Sequence, residues 1–502
     1  MYRTLRLAAT TKTARPDALA VALFGKPARL PAEYATLDRR CGGALGRAVK
    51  RAEFVADAGR VTTIYPDTGP GRVYLLSLGD REKFAGQVLR NAAAKLLRIA
   101  WEGKVRSIGL ELTPGLGDAI DDQPAGRAVG DGMAAANFEF IKFKSKQNDK
   151  RQSSAIPATL QLHASATFRK GLSWSMAVGR STNIARDLAA SPPNVANPAY
   201  LVRYCRTMAR QIGLRCRIVN AAQAKKLKMG GLLAVGAAGS TPPALICLEH
   251  RPRAAASKPP VLLVGKAVTF DTGGYSIKPG ASMMGMKYDK SGGTAVIGAM
   301  HAIATLKLPV HVVGLIPTAE NMVDRTAYRP NDIVRMYNGV TVEITNTDAE
   351  GRLILADALA YGCKTYKPKS IIDLATLTGA VVITLGHEAA GLFCKNAVLR
   401  KKLLDAAEDT GQQLWHLPMW DEYKPLLDSP HADLVNSGPR LASSIQGAMF
   451  LSHFVQQNKQ GQPAWAHLDI AGVSDTDNDS AMFNKGPTGY GVRLIVRALE
   501  GL

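Results

Sequence analysis

Two short apolar runs restrict the fold of this chain more than any other feature of its sequence. Val261–Val264, introduced by Pro259-Pro260, and Val310–Ile316 are continuous rather than alternating. That is the pattern of strands covered on both faces, and such strands need helices on either side of their sheet. Helical spacing follows in the right places. Ser173–Ala190 reads as a helix stopped by Pro192-Pro193, and Gly292–Leu306 and Leu353–Tyr361 read as two more. Val340–Thr345 is a strand after the Asn338-Gly339 turn, and Ser370–Leu374 and Ala380–Leu385 are further apolar runs. The first 165 residues show the same alternation on a smaller scale. Ala18–Phe24, Val61–Ile64, Val73–Leu78 and Ser107–Leu112 read as strands, with a helix over Phe84–Trp101. The expectation is therefore an α/β protein of two domains. A small N-terminal α/β domain spans 1–165, and a larger C-terminal α/β domain with a mixed sheet flanked by helices spans 166–502. The polar stretch Lys142–Ser154 reads as a linker or hairpin arm near the boundary.

Composition removes several classes. A length of 502 residues suits two to three domains and a core that needs no staples. No apolar run approaches the ~18 residues that span a bilayer, so no membrane role is expected. The six cysteines form no C-x-x-C pair, which argues against a disulfide scaffold or a cysteine zinc module and for a reducing, cytoplasmic setting. Residues 1–16 hold four basic side chains and no acid, loosely like a transit peptide. The short apolar run behind Pro16-Asp17 reads instead as the first buried strand. The formal net charge of +22 invites a polyanion. Nucleic-acid binding, alone or as a second role, is thus the alternative reading, although the excess is spread along the chain and no nucleic-acid motif surrounds it.

The chemistry lies in two windows, residues 265–293 and 346–353. Asp271, Asp289, Asp348 and Glu350 sit there in glycine-rich or turn-like segments at the ends of expected strands, where open α/β sheets place their sites. Lys266 closes the strand Val261–Gly265, and Lys278 and Arg352 add two further cations. Four carboxylates in one crevice raise each other's pKa unless cations neutralise them. Two divalent ions would do so, and oxygen-rich ligation with one nitrogen suits Mn, Zn, Co or Mg. Lys266 could join such a set only as the neutral amine. Asp348 and Glu350 could equally be first-turn acids of a helix starting near Gly351. Competing chemistries lack their parts. His387-Glu388 has no second histidine at metal-ligand spacing, no phosphate-binding P-loop is present, and a Ser276/Lys278 nucleophile pair would leave four carboxylates unexplained.

Asn346-Thr-Asp-Ala-Glu-Gly-Arg-Leu353, Val264–Lys278 and Met286-Lys-Tyr-Asp289 resemble the signature segments of the leucyl aminopeptidase (cytosol aminopeptidase) family of dinuclear metallopeptidases. Weaker echoes are Ala185-Arg-Asp-Leu188, Ala375–Gly379, His467–Gly472 and Gly486–Gly489. The resemblance implies a metal-dependent aminopeptidase that releases apolar, Leu-like N-terminal residues from peptides. It implies that Lys266, Asp271, Asp289, Asp348 and Glu350 bind two metals, with Asp271 and Glu350 bridging. Lys278 would bind the substrate carbonyl oxygen, and Arg352 would hold a bicarbonate ion as proton shuttle. The main chain near Thr376 and Leu377 would line the cleft and Met286 the side-chain pocket. A cytoplasmic homohexamer is implied as well. The chain departs from the family at Lys290, where a methionine is usual. That lysine is expected to face solvent or form an ion pair, unless it reshapes the metal site.

Overall fold

The structure is a computed structural model. It describes residues 2, 4–9, 16–26, 29–51, 54–145, 157–162, 164–457 and 461–500. They fall into two compact units, residues 1–180 with 478–484 and residues 181–477 with 485–502. The Ala166–Ala190 helix begins in the first unit and ends in the second.

The first unit is built on β1 (Thr4–Ala9), β2 (Ala18–Leu23), β3 (Val61–Ile64), β4 (Arg72–Ser77), β5 (Ser107–Glu111) and β6 (Pro157–Leu162). They form one sheet in the order β1-β6-β5-β2-β4-β3, parallel except for β3 against β4. All six residues of β2 are buried, as a continuous apolar run requires, and β1 takes the edge ahead of it. The helices Gly86–Glu102 and Asp122–Ala136 cross at Gly132, where a Cβ would come within 2.0 Å of the Arg90 carbonyl oxygen. Most of the expected Lys142–Ser154 linker lies outside the described residues.

The second unit holds β7 (Arg215–Asn220), β8 (Ala244–His250), β9 (Val261–Gly265), β10 (Ala267–Asp271) and β11 (Val312–Asn321). After a small sheet containing β12 (Ile333–Arg335) and β13 (Thr341–Glu343) come β14 (Ser370–Ala375), β15 (Ala390–Phe393) and β16 (Leu414–His416). β17 (Leu434–Val435) completes the small sheet, and β18 (Ala464–Asp469) returns to the large one. The large sheet runs β16-β15-β18-β14-β9-β11-β8-β7, with β10 alongside β11. Strands β18, β14, β9 and β11 are mutually parallel, whereas β8, β7 and β15 introduce antiparallel pairs. The sheet is thus mixed and its centre parallel. The helices Ser291–Thr305 and Glu350–Tyr366 pack against its buried strands. Ala380–Leu385, left in the sequence as an apolar run, belongs to a short helix, Gly379–Leu385, capped by the Thr378 hydroxyl. Among the described residues, no helix is long and apolar enough to cross a membrane.

β11 extends five residues past the apolar run that announces it. It crosses Pro317, a residue that ordinarily argues against a central strand. The pairings explain why it is tolerated. β11 lies beside β9 up to Leu315 and beside β10 from Thr318, so Pro317 falls where the strand changes parallel neighbour.

Candidate active site

The carboxyl ends of β9, β10, β11 and β14 converge, and the site is assembled there from short segments that follow them. Lys266 is the residue after β9 and is almost fully buried. Its Nζ lies 2.7 Å from Asp289 Oδ1 and 2.8 Å from Glu350 Oε1, and donates to the Thr376 carbonyl at 2.8 Å. Room for this long side chain comes from Gly351, where a Cβ would meet Lys266 Cε at 2.5 Å. Asp271 ends β10. The chain then turns through Gly273 and Gly274, both at positive φ, and returns Lys278 over the same carboxylate. Lys278 Nζ sits 3.1 Å from Asp271 Oδ2 and 2.6 Å from Asp348 Oδ1.

Asp289 is carried by the single-turn helix Met286–Lys290, and the Thr376 hydroxyl donates to its Oδ1 at 2.7 Å. The glycines that follow let the Ser291–Thr305 helix press onto the strand ends. A Cβ on Gly292 would come within 2.1 Å of the Leu374 carbonyl oxygen, and one on Gly293 within 2.6 Å of Ala267 Cβ. Glu350 opens the Glu350–Tyr366 helix, so it is indeed a first-turn acid. Its side chain nevertheless points into the cluster, where Asp271, Asp348 and Glu350 each bring a carboxylate oxygen within 4.8 Å of the others.

The structure therefore gathers Lys266, Asp271, Lys278, Asp289, Asp348 and Glu350 into one group, with Lys278 and Asp348 partly exposed and the other four buried. Two ammonium groups face four carboxylates. Burial, with Asp271 beside them, pushes the pKa of Glu350 and Asp348 up, and burial pushes Asp289 up against the pull of Lys266. Burial also works against charge on Lys266, but Asp289, Glu350 and Asp271 outweigh it and hold the ammonium above its usual range. The same balance operates at Lys278, with Asp271 and Asp348 as partners. Negative charge is left in surplus, and Asp289 Oδ2 is buried with no hydrogen-bond partner. An oxygen-rich, negatively charged cradle with an unpartnered buried oxygen suits divalent cations.

Arg352 is buried on the same helix as Glu350 but turns to another side. Its Nη1 donates to the Asn436 carbonyl at 2.7 Å, its guanidinium lies over Phe450 at 6.0 Å, and its Nε is unpartnered. Burial lowers its pKa to about 10. Met286 and Leu377 are half-buried on the segments that carry Asp289 and Thr376. Ser276 is not paired with Lys278, because its hydroxyl accepts from the Thr347 amide at 3.1 Å.

Lys290 departs from its expectation. It is fully buried and faces neither solvent nor an acid. Its Nζ donates to the carbonyls of Ser191 at 3.0 Å and Lys287 at 2.5 Å. A lysine can do this because three donors on a flexible stem satisfy main-chain oxygens that a methionine would leave alone. It ties the turn bearing Asp289 to the Ser191 loop.

Three contributors carried no signal in the sequence. Asn321 and Tyr328 hold the Asp271 and Thr347 segments, and Asn436 supplies the carbonyl for Arg352.

Residues 183–496 match the catalytic domain of the cytosol aminopeptidase family, and residues 20–147 match its N-terminal domain. The chain is 38% identical to a probable cytosol aminopeptidase of Syntrophotalea carbinolica, covering 92% of this chain and 93% of that one. It is also 38% identical to one of Methylobacillus flagellatus, covering 98% and 97%. Among solved structures, it resembles a tomato leucine aminopeptidase variant with a TM-score of 0.86 and 31% identity, covering 99% of this chain and 96% of that one. The bottromycin maturation enzyme BotP in complex with Mn gives a TM-score of 0.85 and 32% identity, covering 97% and 99%. With these matches, the carboxylate-rich centre at the strand ends is that of a hydrolase of the peptidase class. The chain belongs to the cytosol aminopeptidase family.

Proposed function

We propose that this protein is a two-metal aminopeptidase that removes apolar, Leu-like residues from the N-termini of peptides. The observation that carries the reading is the surplus of carboxylates around Lys266 and Lys278, with Asp289 Oδ2 buried and unpartnered. Asp271, Asp289, Asp348, Glu350 and a deprotonated Lys266 would hold two divalent ions, Mn or Zn by the chemistry of the donor set. When bound, such a pair activates water near neutral pH and polarises a carbonyl. The chain's own residues supply the rest. Lys278, the more exposed of the two site lysines, meets the substrate carbonyl oxygen and stabilises negative charge as it develops there. Arg352, with an unpartnered Nε, would hold a bicarbonate, which would supply a proton acceptor beside the site. The Thr376–Leu377 main chain and Met286 border the space for the N-terminal residue. A homohexamer in the cytoplasm completes the reading. It rests on the family and on the naming of the relatives as cytosol aminopeptidases.

The test is a metal-stripped preparation assayed with Mn, Zn, Co and Mg on a panel of aminoacyl amides. Activity restored by a divalent ion and highest on leucyl or methionyl amides is expected. Full activity in the stripped protein, or none with any ion, overturns the proposal. Light scattering on the same sample reports the assembly, with a hexamer expected at six times the 53.6 kDa chain.

A further inference from the structure

Asn321 belongs to neither motif window, yet it is in contact with both. It is the last residue of β11, fully buried, and in register with Asp271 across the β10–β11 pair. Its Nδ2 donates to Asp271 Oδ1 at 2.8 Å and to the Thr347 carbonyl at 3.0 Å. Both neighbours are acceptors, so the amide must present its NH2 to them, and Oδ1 is left without a partner. The first contact fixes how Asp271 faces the site. Oδ1 accepts one hydrogen bond from Asn321 and another from the Gly273 amide at 2.8 Å, which leaves Oδ2 directed at Lys278. The second contact holds the peptide immediately before Asp348.

We propose that Asn321 is a positioning residue that sets the separation of the two carboxylate-bearing segments, 271–278 and 346–350. Other links between the segments are made by Lys278, whose ammonium meets Asp271 and Asp348, and by Thr347. The Thr347 hydroxyl donates to the Gly273 carbonyl at 2.6 Å and accepts from the Ser276 amide at 2.7 Å. The Thr347 bonds tie a side chain of one segment to the main chain of the other. Asn321 is different because a neutral amide from outside both segments binds a site carboxylate of one and the main chain of the other at once. Tyr328 provides a built-in control. Its hydroxyl donates to the same Thr347 carbonyl at 2.7 Å but reaches no site carboxylate. Partners of this kind typically change metal affinity by about 10–100-fold when removed. The inference rests on the metal reading above, and its test separates the two.

The test is titration of metal-stripped wild type, Asn321→Ala, Asn321→Leu and Tyr328→Phe with Mn2+, following the electron-spin signal of the free ion. Urea midpoints of the stripped proteins report folding. Wild type is expected to bind Mn2+, and both Asn321 variants are expected to bind at least one ion about 10–100-fold more weakly. Tyr328→Phe should bind within about threefold of wild type, well inside that range. With saturating Mn2+, the Asn321 variants should recover kcat at an unchanged KM. Asn321→Leu keeps the branched outline of the side chain without its hydrogen bonds and leaves no cavity, so it keeps the test valid should the alanine variant fold poorly. Wild type that binds no Mn2+ overturns the metal reading. Wild type that binds, with Asn321→Leu binding equally well, overturns the role of Asn321. Equal weakening in Tyr328→Phe also overturns it, because the effect would then belong to the Thr347 turn alone.

Discussion

Both units bury charge, but they balance it differently. In the first unit Arg90 and Asp131 face each other on neighbouring helices with side-chain exposures of 6% and 2%, the nearest atoms 3.5 Å apart. A buried cation is held against a buried anion there. In the second unit Lys266 and Lys278 meet four carboxylates, and burial, together with the neighbouring acids, raises the pKa values of Asp289, Asp348 and Glu350. A buried cation set against a buried anion needs no added ion, whereas a group with surplus charge of one sign does. The contrast separates a structural charge from a site. The first unit can be read as support, and the second as the place where a cation must be recruited.

The largest break in this contrast comes from taking a carboxylate out of the unbalanced group. Glu350→Ala or Asp271→Ala should lose at least one bound ion by metal analysis and bring peptidase turnover close to background. Full metal content in both variants would mean that the surplus charge has another purpose. The balanced pair should respond in the opposite manner. Arg90→Ala takes a cation away from the buried Asp131 and should cost up to about 3–5 kcal/mol of stability. Metal content and turnover per folded molecule should be unaffected. A variant that loses metal instead would show that the two units are not separable in function. Next comes Lys278→Ala. If it supplies the oxyanion contact, kcat should fall ~10²–10³-fold with metal content near normal. Unchanged kcat would return Lys278 to a purely structural pairing with Asp271 and Asp348.

The same contrast explains what was legible in the sequence. The buried strands Val261–Gly265 and Ser370–Ala375 were visible because continuous apolar runs have few other uses. The site windows were visible because carboxylates and glycines crowd into short segments. Asn321 was hidden for a physical reason. The apolar run ends at Ile316 and Pro317 follows, so periodicity closes the strand five residues early. Only the change of parallel neighbour at Pro317 lets the strand go on to Asn321. Lys290 was misjudged because an isolated lysine ordinarily stays at the surface. Its burial depends on two main-chain oxygens from Ser191 and Lys287, and the first of these lies a hundred positions away. Asn436 contributes a carbonyl, and a carbonyl has no signature in side-chain chemistry.

A finer test concerns a second balanced pair, placed in the same unit as the unbalanced group. His467 on β18 and Asp373 on β14 are both fully buried, with Nδ1 and Oδ1 2.5 Å apart. Trp465 Nε1 donates to the other Asp373 oxygen at 2.7 Å, and His467 stacks on Phe393. Burial works against the imidazolium, but Asp373 outweighs it and raises the His467 pKa above 6.5. A raised folded-state pKa means that the native protein holds a proton the unfolded chain releases. The stabilisation is therefore complete below pH 6.5 and is lost as pH climbs through the folded value. The expected size is ~1 kcal/mol, that of a net buried hydrogen bond. The carboxylates of the metal-free site add a slope of their own, because their raised pKa values also favour the native state at low pH. The measurement is thus the difference in urea midpoint between stripped wild type and His467→Gln across about pH 5.5 to 8.5, where histidine titrates. That difference should shrink as pH rises. A difference constant with pH would show that His467 keeps one protonation state throughout. The imidazole and Asp373 would then act as a fixed hydrogen bond, and the distinction between balanced and unbalanced charge would rest on Arg90 and Asp131 alone.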